Sequence, residues 1–167
     1  MRLPCLLLAL LSITATAGAG ERTQSILVGR VVHIASGDTL TIVDPVNVRY
    51  KIHLLGIAAP DVQQPFGRKS RTSLSALAFN QQVHAFCRLQ DPMQHPVCVV
   101  EQRGRDLGLE QLRNGAAWAY PPHAERLTDG ERSTYRQAEF FAKLHRSGLW
   151  NSKNPTPPWI WNKGRAE

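Results

Sequence analysis

Beyond its N-terminus the sequence contains no long apolar run, no internal repeat and few cysteines. Without a second apolar run of about 20 residues, the chain offers no helices for a protein that spans a membrane several times. Without repeats, its 167 residues favour one compact domain around a single core. Cys87 and Cys98 have no further Cys or His pair at ligand spacing, which argues against a zinc-finger type of site.

The one apolar run, at residues 6–13, follows Arg2 and precedes small residues at 15–19. This order is typical of a secretory signal peptide, and the apolar part is too short to span a bilayer comfortably. We expect residues 1–19 to be removed and the remaining chain to be exported, either to a periplasm or to the medium, as a monomer without membrane contact. A retained membrane anchor is the alternative, and no basic stop-transfer cluster favours it.

Acidic residues are scarce, with 13 against 20 lysines and arginines and a formal net charge of +7. A positive surface suits a phosphate-rich partner such as DNA or RNA, because phosphates that meet basic side chains release their condensed counterions. Guanidinium groups add paired hydrogen bonds to phosphate oxygens. The alternative is a basic protein whose charge serves solubility alone.

Alternating apolar residues predict five strands, and helical spacing predicts three helices. The strands are expected at 25–34, 40–43, 48–57, 83–89 and 97–100, and the helices from about 68, at 107–112 and at 128–144. This order predicts an α+β fold with a small β-barrel core. In the last helix we expect the core to receive Tyr135, Ala138, Phe141 and Leu144. The proline-containing tail at 154–162 is expected to be extended.

Two carboxylates stand where predicted strands end. Asp38 follows the turn signal Ser36-Gly37, and Asp61 follows Pro60 at the end of the third strand. Carboxylates at the ends of rigid strands can fix a cation or a water molecule in space.

The two cysteines of the predicted hairpin have alternative roles. Cys87 and Cys98 lie on apolar runs separated by the turn sequence at 91–94, so they face each other if the hairpin turns near Pro92. An oxidising compartment then favours a cross-strand disulfide. Two buried thiols that pack as small apolar side chains are the alternative.

Several short motifs occur in an order that is typical of one family. They are GDT at 37–39, HLLGI at 53–57, APD at 59–61, PFGR at 65–68, DLGL at 106–109, LRNGAAW at 112–118, SGLW at 147–150 and PPW at 157–159. With these motifs the chain resembles the staphylococcal nuclease (thermonuclease) family, whose members are OB-fold five-stranded β-barrels with three α-helices. The resemblance implies such a domain at 20–150. A Pro/Trp-rich tail at 151–167 then packs on the domain or extends from it.

The resemblance also implies a calcium site. In the family, two aspartates and a backbone carbonyl hold the ion, since hard oxygen ligands suit calcium. Asp38 matches the first aspartate and Ala59 matches the carbonyl ligand, whereas Ala58 replaces the second aspartate. Calcium is therefore the cofactor that the resemblance implies, at a site that has lost one carboxylate.

Three further positions match the catalytic groups of the family. Asp61 stands where a glutamate helps to activate water, and His53 and His95 stand where two arginines stabilise the phosphate. These replacements predict an atypical centre with weak or no calcium-dependent phosphodiester hydrolysis, because a neutral imidazole replaces a permanent cation. The alternative is a rebuilt centre, with zinc or manganese held by Asp38, Asp61, His53 and His95.

Other residues are candidates for nucleic-acid binding. Arg68, Lys69 and Arg71 open a predicted helix, and Tyr120 resembles a tyrosine near the nucleotide site of the family. An ordinary solvated helix face is the alternative for the basic group. A third possible class is an OB-like module that docks a protein or a glycan in the cell envelope. No motif includes the remaining histidines, which are expected at the surface or at helix caps: His33, His84, His123 and His145.

Overall fold

A closed barrel of five strands forms the centre of the protein. The computed structural model describes residues 25–163. The strands in these residues, including three short ones outside the barrel, are β1 (Ser25–Ile34), β2 (Thr39–Val43), β3 (Arg49–Leu54), β4 (Ile57–Ala58), β5 (Gln82–Gln90), β6 (Pro96–Gln102), β7 (Arg105–Asp106) and β8 (Trp118–Ala119). The barrel order is β3-β2-β1-β5-β6, and a parallel pairing of β3 with β6 closes it. The predicted OB-like α+β fold is therefore confirmed.

In the described part of the chain, four α-helices surround the barrel: α1 (Gly67–Ala78), α2 (Leu107–Arg113), α3 (Asp129–Leu144) and α4 (Pro158–Trp161). A 3-10 helix at Pro121–Arg126 precedes α3, and another at Gly148–Asn151 follows it. None of the helices in residues 25–163 has the length and apolar character needed to cross a membrane. The predicted signal peptide lies outside the described residues.

The core consists of the inward-facing side chains of the barrel and one stripe of each long helix. The apolar residues Leu40 and Ile42 of β2 and Ile52 and Leu54 of β3 are buried, because alternate side chains of a strand point to the same face. By contrast, β6 buries four successive residues at 97–100. It lies between β5 and β3 and also packs against α2, so both of its faces are covered.

Helix α3 begins with a capping box, in which the Thr128 hydroxyl accepts from the Glu131 backbone N–H and the Glu131 carboxylate accepts from the Thr128 N–H. Its buried residues are Tyr135, Ala138 and Ala142. The prediction that Phe141 and Leu144 face the core was wrong: they are 46% and 63% exposed. The inward stripe continues from residue 138 to residue 142, so residue 141 lies about 100° away from its centre.

The tail was predicted to be extended, and this was wrong at Pro158–Trp161, which form one turn of helix α4. Proline is well suited to the first helical position, because its missing N–H would have no partner there. The tail packs on the domain: the Trp159 ring lies 6.4 Å from the Trp118 ring, and the Gln64 side chain donates to the Thr156 carbonyl.

Cys87 and Cys98 are directly opposite in the β5–β6 register, and the structure joins them as a disulfide with an S–S distance of 2.05 Å. Both residues are buried. The bond therefore links the two strands just below the turn at 91–95.

Candidate functional site

Asp38 lies in the β1–β2 turn, and hydrogen bonds within the protein occupy both of its carboxylate oxygens. Its Oδ1 accepts from the Ser36 hydroxyl at 2.6 Å and from the Thr39 hydroxyl at 3.0 Å, and its Oδ2 accepts from the Ala59 N–H at 2.7 Å. In addition, its own carbonyl accepts from the Leu54 N–H at 2.8 Å. Asp38 thus ties β2, β3 and the segment after β4 together.

A buried glutamine holds this turn from below. Gln111 of α2 is fully buried, and its amide donates to the Gly37 carbonyl at 2.6 Å and to the Ser70 carbonyl at 3.2 Å. Its side-chain oxygen accepts from the Ser73 hydroxyl at 2.6 Å. A Cβ at Gly37 would lie only 1.8 Å from the Ser70 hydroxyl, so this close approach requires glycine.

The other calcium-site positions lie beside Asp38. Ala58 ends β4 with a methyl side chain, and Ala59 is buried with its N–H bound to Asp38. Asp61 is exposed, and its Oδ1 accepts only a local bond, from the Gln63 N–H at 2.8 Å. Calcium requires six to eight oxygen ligands, several of them charged. The two carboxylates present here, Asp38 with three hydrogen bonds from the protein and the exposed Asp61, do not fit that requirement.

The two histidines at the family's arginine positions are brought together. His53 is the next-to-last residue of β3 and His95 ends the β5–β6 turn, and their ring centroids are 5.7 Å apart. Between them lies Asp91, whose Oδ2 is 3.2 Å from His53 Nε2 and 3.0 Å from His95 Nδ1. We call these three side chains the His–Asp–His cluster. Asp38 and Asp61 do not belong to it, which corrects the two carboxylates of the predicted zinc or manganese set.

The turn fixes the orientation of the Asp91 carboxylate. Its Oδ1 accepts from the backbone N–H groups of Met93 and His95, both at 2.8 Å, so that Oδ2 faces the imidazoles. Desolvation acts to raise the pKa of Asp91, but the hydrogen bonds from His95 and Met93 bring it below its usual value. Asp91 is therefore a carboxylate at neutral pH.

A hydrogen-bonded chain connects the cluster to Asp38. His53 Nδ1 is 2.9 Å from the Thr39 hydroxyl oxygen, and this hydroxyl donates to Asp38. Burial lowers the pKa of His53, while the Asp38 and Asp91 carboxylates oppose that effect.

His123 was expected to be a surface or capping residue, and this was wrong. It is half-buried in the 3-10 helix, and its ring packs edge-on against Tyr120 with centroids 4.7 Å apart. Burial and then the charge of His53 lower the pKa of His123. Its Nδ1 is among the few buried polar atoms at 25–163 that have no hydrogen-bond partner.

The predicted nucleic-acid residues line three different depressions. Arg68 and Arg71 line a depression along α1 of about 630 Å³. Lys69 lines a second depression with the tail. Tyr120 lines a third, of about 280 Å³, which also contains Asp38, Asp61 and Trp159. We call this third one the Tyr120 depression. Its two aromatic rings, Tyr120 and Trp159, are 5.6 Å apart.

Three residues near the site were not predicted from sequence. Asp91 was interpreted only as a turn residue, although a histidine four residues later could have indicated a shared site. His123 follows two prolines in a segment without periodicity, and Trp159 lies in a tail whose docking no local pattern specifies.

Comparison with known proteins identifies the relatives of this fold. A family model described as "Staphylococcal nuclease homologue" matches residues 51–152. An "Uncharacterized endonuclease" of Haemophilus influenzae is 34% identical over 158 residues, which cover 95% of this chain and 84% of that protein. A "Micrococcal nuclease" of Shigella flexneri is 29% identical over 147 residues, covering 81% and 80%.

A third relative is larger. A staphylococcal-like nuclease of Oryza sativa subsp. japonica is 30% identical over 115 residues, and the chain spans only 29% of its length. The family match covers more than half of the present chain, and it includes His53, the β5–β6 hairpin and α2. The chain belongs to the staphylococcal nuclease family.

Proposed function

We propose that this protein is exported and binds nucleic acid at the Tyr120 depression, and that calcium does not support efficient cleavage there. The proposal rests on a nuclease-family fold combined with an altered calcium position. At that position Ala58 offers no side-chain ligand, and both oxygens of Asp38 already accept hydrogen bonds from the protein. The relatives that are named endonuclease and micrococcal nuclease support nucleic acid as the partner.

The Tyr120 depression has the chemistry of a nucleotide subsite. Tyr120 and Trp159 present aromatic rings, on which any of the nucleic-acid bases can stack. A formal net charge of +7 attracts a polyanion over a longer range. Single-stranded DNA or RNA is the form that this arrangement favours, because its bases are free to stack.

The imidazoles of His53 and His95 limit what the site can do to a phosphate. Each neutral ring offers one N–H, whereas a guanidinium offers a fork of donors and a permanent charge. Stabilisation of a developing phosphate charge depends on such donors, and loss of one typically lowers the rate by a factor of about 100 or more. The site is therefore better suited to binding than to rapid hydrolysis.

Binding is tested by fluorescence anisotropy with labelled single-stranded DNA and RNA between low and moderate salt. Affinity should fall steeply with salt. Tyr120→Ala should weaken binding about tenfold through loss of stacking. Tyr50→Ala is the matched control, because Tyr50 lies on β3 and outside the depression. Equal effects of the two substitutions, or salt-independent binding, would contradict the proposal.

The proposal that calcium does not support efficient cleavage is tested by assays of the same substrates with calcium and with EDTA. We expect no stimulation by calcium in the wild-type protein, and we expect Ala58→Asp to introduce some calcium dependence by adding the missing carboxylate. Calcium-stimulated cleavage by the wild-type protein that Asp38→Ala abolishes would overturn this part of the proposal.

A further inference from the structure

We propose that the His–Asp–His cluster binds one divalent first-row transition ion of the zinc class. The three ligand atoms lie within 4.8 Å of one another. The distances from Asp91 Oδ2 to the two imidazole nitrogens are 3.2 and 3.0 Å. In a tetrahedral zinc site two ligand atoms are about 3.3 Å apart, so these distances are close to the required ones. The proposal depends on these side chains alone and does not require that the protein binds nucleic acid.

The carboxylate is presented with one oxygen available for the cluster. Asp91 Oδ1 is held by two backbone N–H groups of its own turn, and Oδ2 contacts only the two imidazoles among the hydrogen bonds and ion pairs at 25–163. Because the turn's own N–H groups hold Asp91, its carboxylate is already oriented as a ligand in the absence of an ion. Such pre-organisation reduces the conformational entropy that binding must overcome.

The surroundings of His53 also favour metal binding. The Thr39 hydroxyl directs its single proton to Asp38 Oδ1, so the contact of 2.9 Å with His53 Nδ1 requires the proton of Nδ1. In the neutral ring, Nε2 then presents a lone pair towards the Asp91 carboxylate 3.2 Å away. Two acceptors that face each other need a cation between them, either a proton or a metal ion.

This chain of contacts corresponds to the outer shell of a metal site. Histidine ligands usually donate their second ring N–H to a carboxylate or another acceptor, which fixes the tautomer and the ring orientation. Here Asp38 performs that role through Thr39. The carboxylate at the family's calcium position thereby becomes a positioning residue for a different ion.

The ligand types select the ion. Two imidazoles and one carboxylate suit zinc and related ions, whereas calcium prefers oxygen ligands alone. The side chains of His53, Asp91 and His95 are 30%, 21% and 27% exposed, so solvent can reach the cluster. An ion held there keeps open positions for water, as in zinc sites with three protein ligands.

The proposal is tested by titrating the full, disulfide-intact chain with Co²⁺ and following visible absorption, and then displacing Co²⁺ with Zn²⁺. We expect one equivalent to produce the absorption of a site with low coordination number, and zinc to remove it. Calorimetry with Zn²⁺ measures the dissociation constant. His53→Ala and His95→Ala should each weaken zinc binding at least tenfold, and Asp91→Asn should act in the same direction.

Two further variants separate a metal site from a merely structural cluster. Thr39→Val should weaken zinc binding about tenfold although Thr39 is no ligand, because the outer shell of His53 is lost. His84→Ala removes an exposed imidazole of β5 outside the cluster and should leave binding unchanged. Thermal unfolding confirms that each variant is folded. Absence of stoichiometric binding, or binding that His53→Ala and His84→Ala affect equally, overturns the proposal.

Discussion

Two sides of the same end of the barrel differ in the partners that their carboxylates contact. On the calcium side, formed by the Asp38 turn and residues 58–61, the central carboxylate accepts three hydrogen bonds from the protein. On the histidine side, formed by His53 and the β5–β6 turn, the Asp91 carboxylate oxygen Oδ2 and two imidazoles face one another.

The comparison shows that position within a family motif does not determine whether a side chain is available. Asp38 occupies the motif position of a ligand, but its oxygens hold the scaffold together. Asp91 belongs to no motif that was singled out, but its orientation makes it the better ligand. Availability depends on the local hydrogen bonds, which have to be read from the structure.

The largest expected effect concerns the covalent link beneath the histidine side. The double substitution Cys87→Ser and Cys98→Ser should lower the free energy of unfolding by about 3 kcal/mol, because the bond closes a loop with a sequence separation of 11 residues. Urea unfolding of the oxidised wild type, the reduced wild type and the double variant measures this difference. Equal stability of the oxidised and reduced wild type would contradict it.

A smaller effect distinguishes the two carboxylates of the calcium side. Asp38→Ala should lower the free energy of unfolding by about 2 kcal/mol, since it leaves the Ala59 N–H and two hydroxyls without their acceptor. Asp61→Ala should change it by less than about 0.5 kcal/mol, because Asp61 is exposed and bonded only locally. Similar losses for the two variants in urea unfolding would contradict this difference between a carboxylate that joins distant segments and one that is bonded only locally.

The smallest effect is a pH dependence at the base of the histidine-side hairpin. Arg88 of β5 forms two hydrogen bonds of 2.7 Å with Glu131 of α3. The hydrogen bond from Arg88 lowers the pKa of Glu131 from 4.5 to about 2. The folded state therefore binds this proton less readily than the unfolded state, so the stabilisation is present above pH 4.5 and is lost as the pH falls through about 2.

Because both side chains are partly exposed, the contribution should be about 1 kcal/mol. Urea unfolding of the wild type and of Arg88→Ala between pH 6 and pH 2 measures it. The difference between the two proteins should shrink towards low pH. Arg113→Ala is the control, since its ion pair with Glu110 lies on the exposed surface of α2. A difference that stays constant with pH would show that the pair acts through packing.

The sequence was sufficient for the elements with strong local signals. Strand alternation placed β1 and β5, and the capping residues at Thr128 and Glu131 explain why the start of α3 was found. The family resemblance then assigned His53 and His95 to the same site. These predictions depend on short-range periodicity and on family resemblance, which a single sequence contains.

The rest depends on contacts between distant parts of the chain. Asp91 reaches His53 only because β3 and β6 pair in parallel, with His53 opposite Val97. The tail docks through Trp159, which no repeat or spacing specifies. In α3, helical spacing alone did not distinguish Phe141 from Ala142, because the position of the inward stripe is set by the surface on which the helix packs.

The amide of Gln111 has a consequence for how binding experiments can be interpreted. The group that supports the Asp38 turn from below is uncharged, and its partners are two carbonyls and a hydroxyl. Buried neutral hydrogen bonds are not screened by ions and do not titrate in the ordinary pH range. The slope of nucleic-acid affinity against salt should therefore count the phosphates that the protein neutralises, without a contribution from loosening of this support.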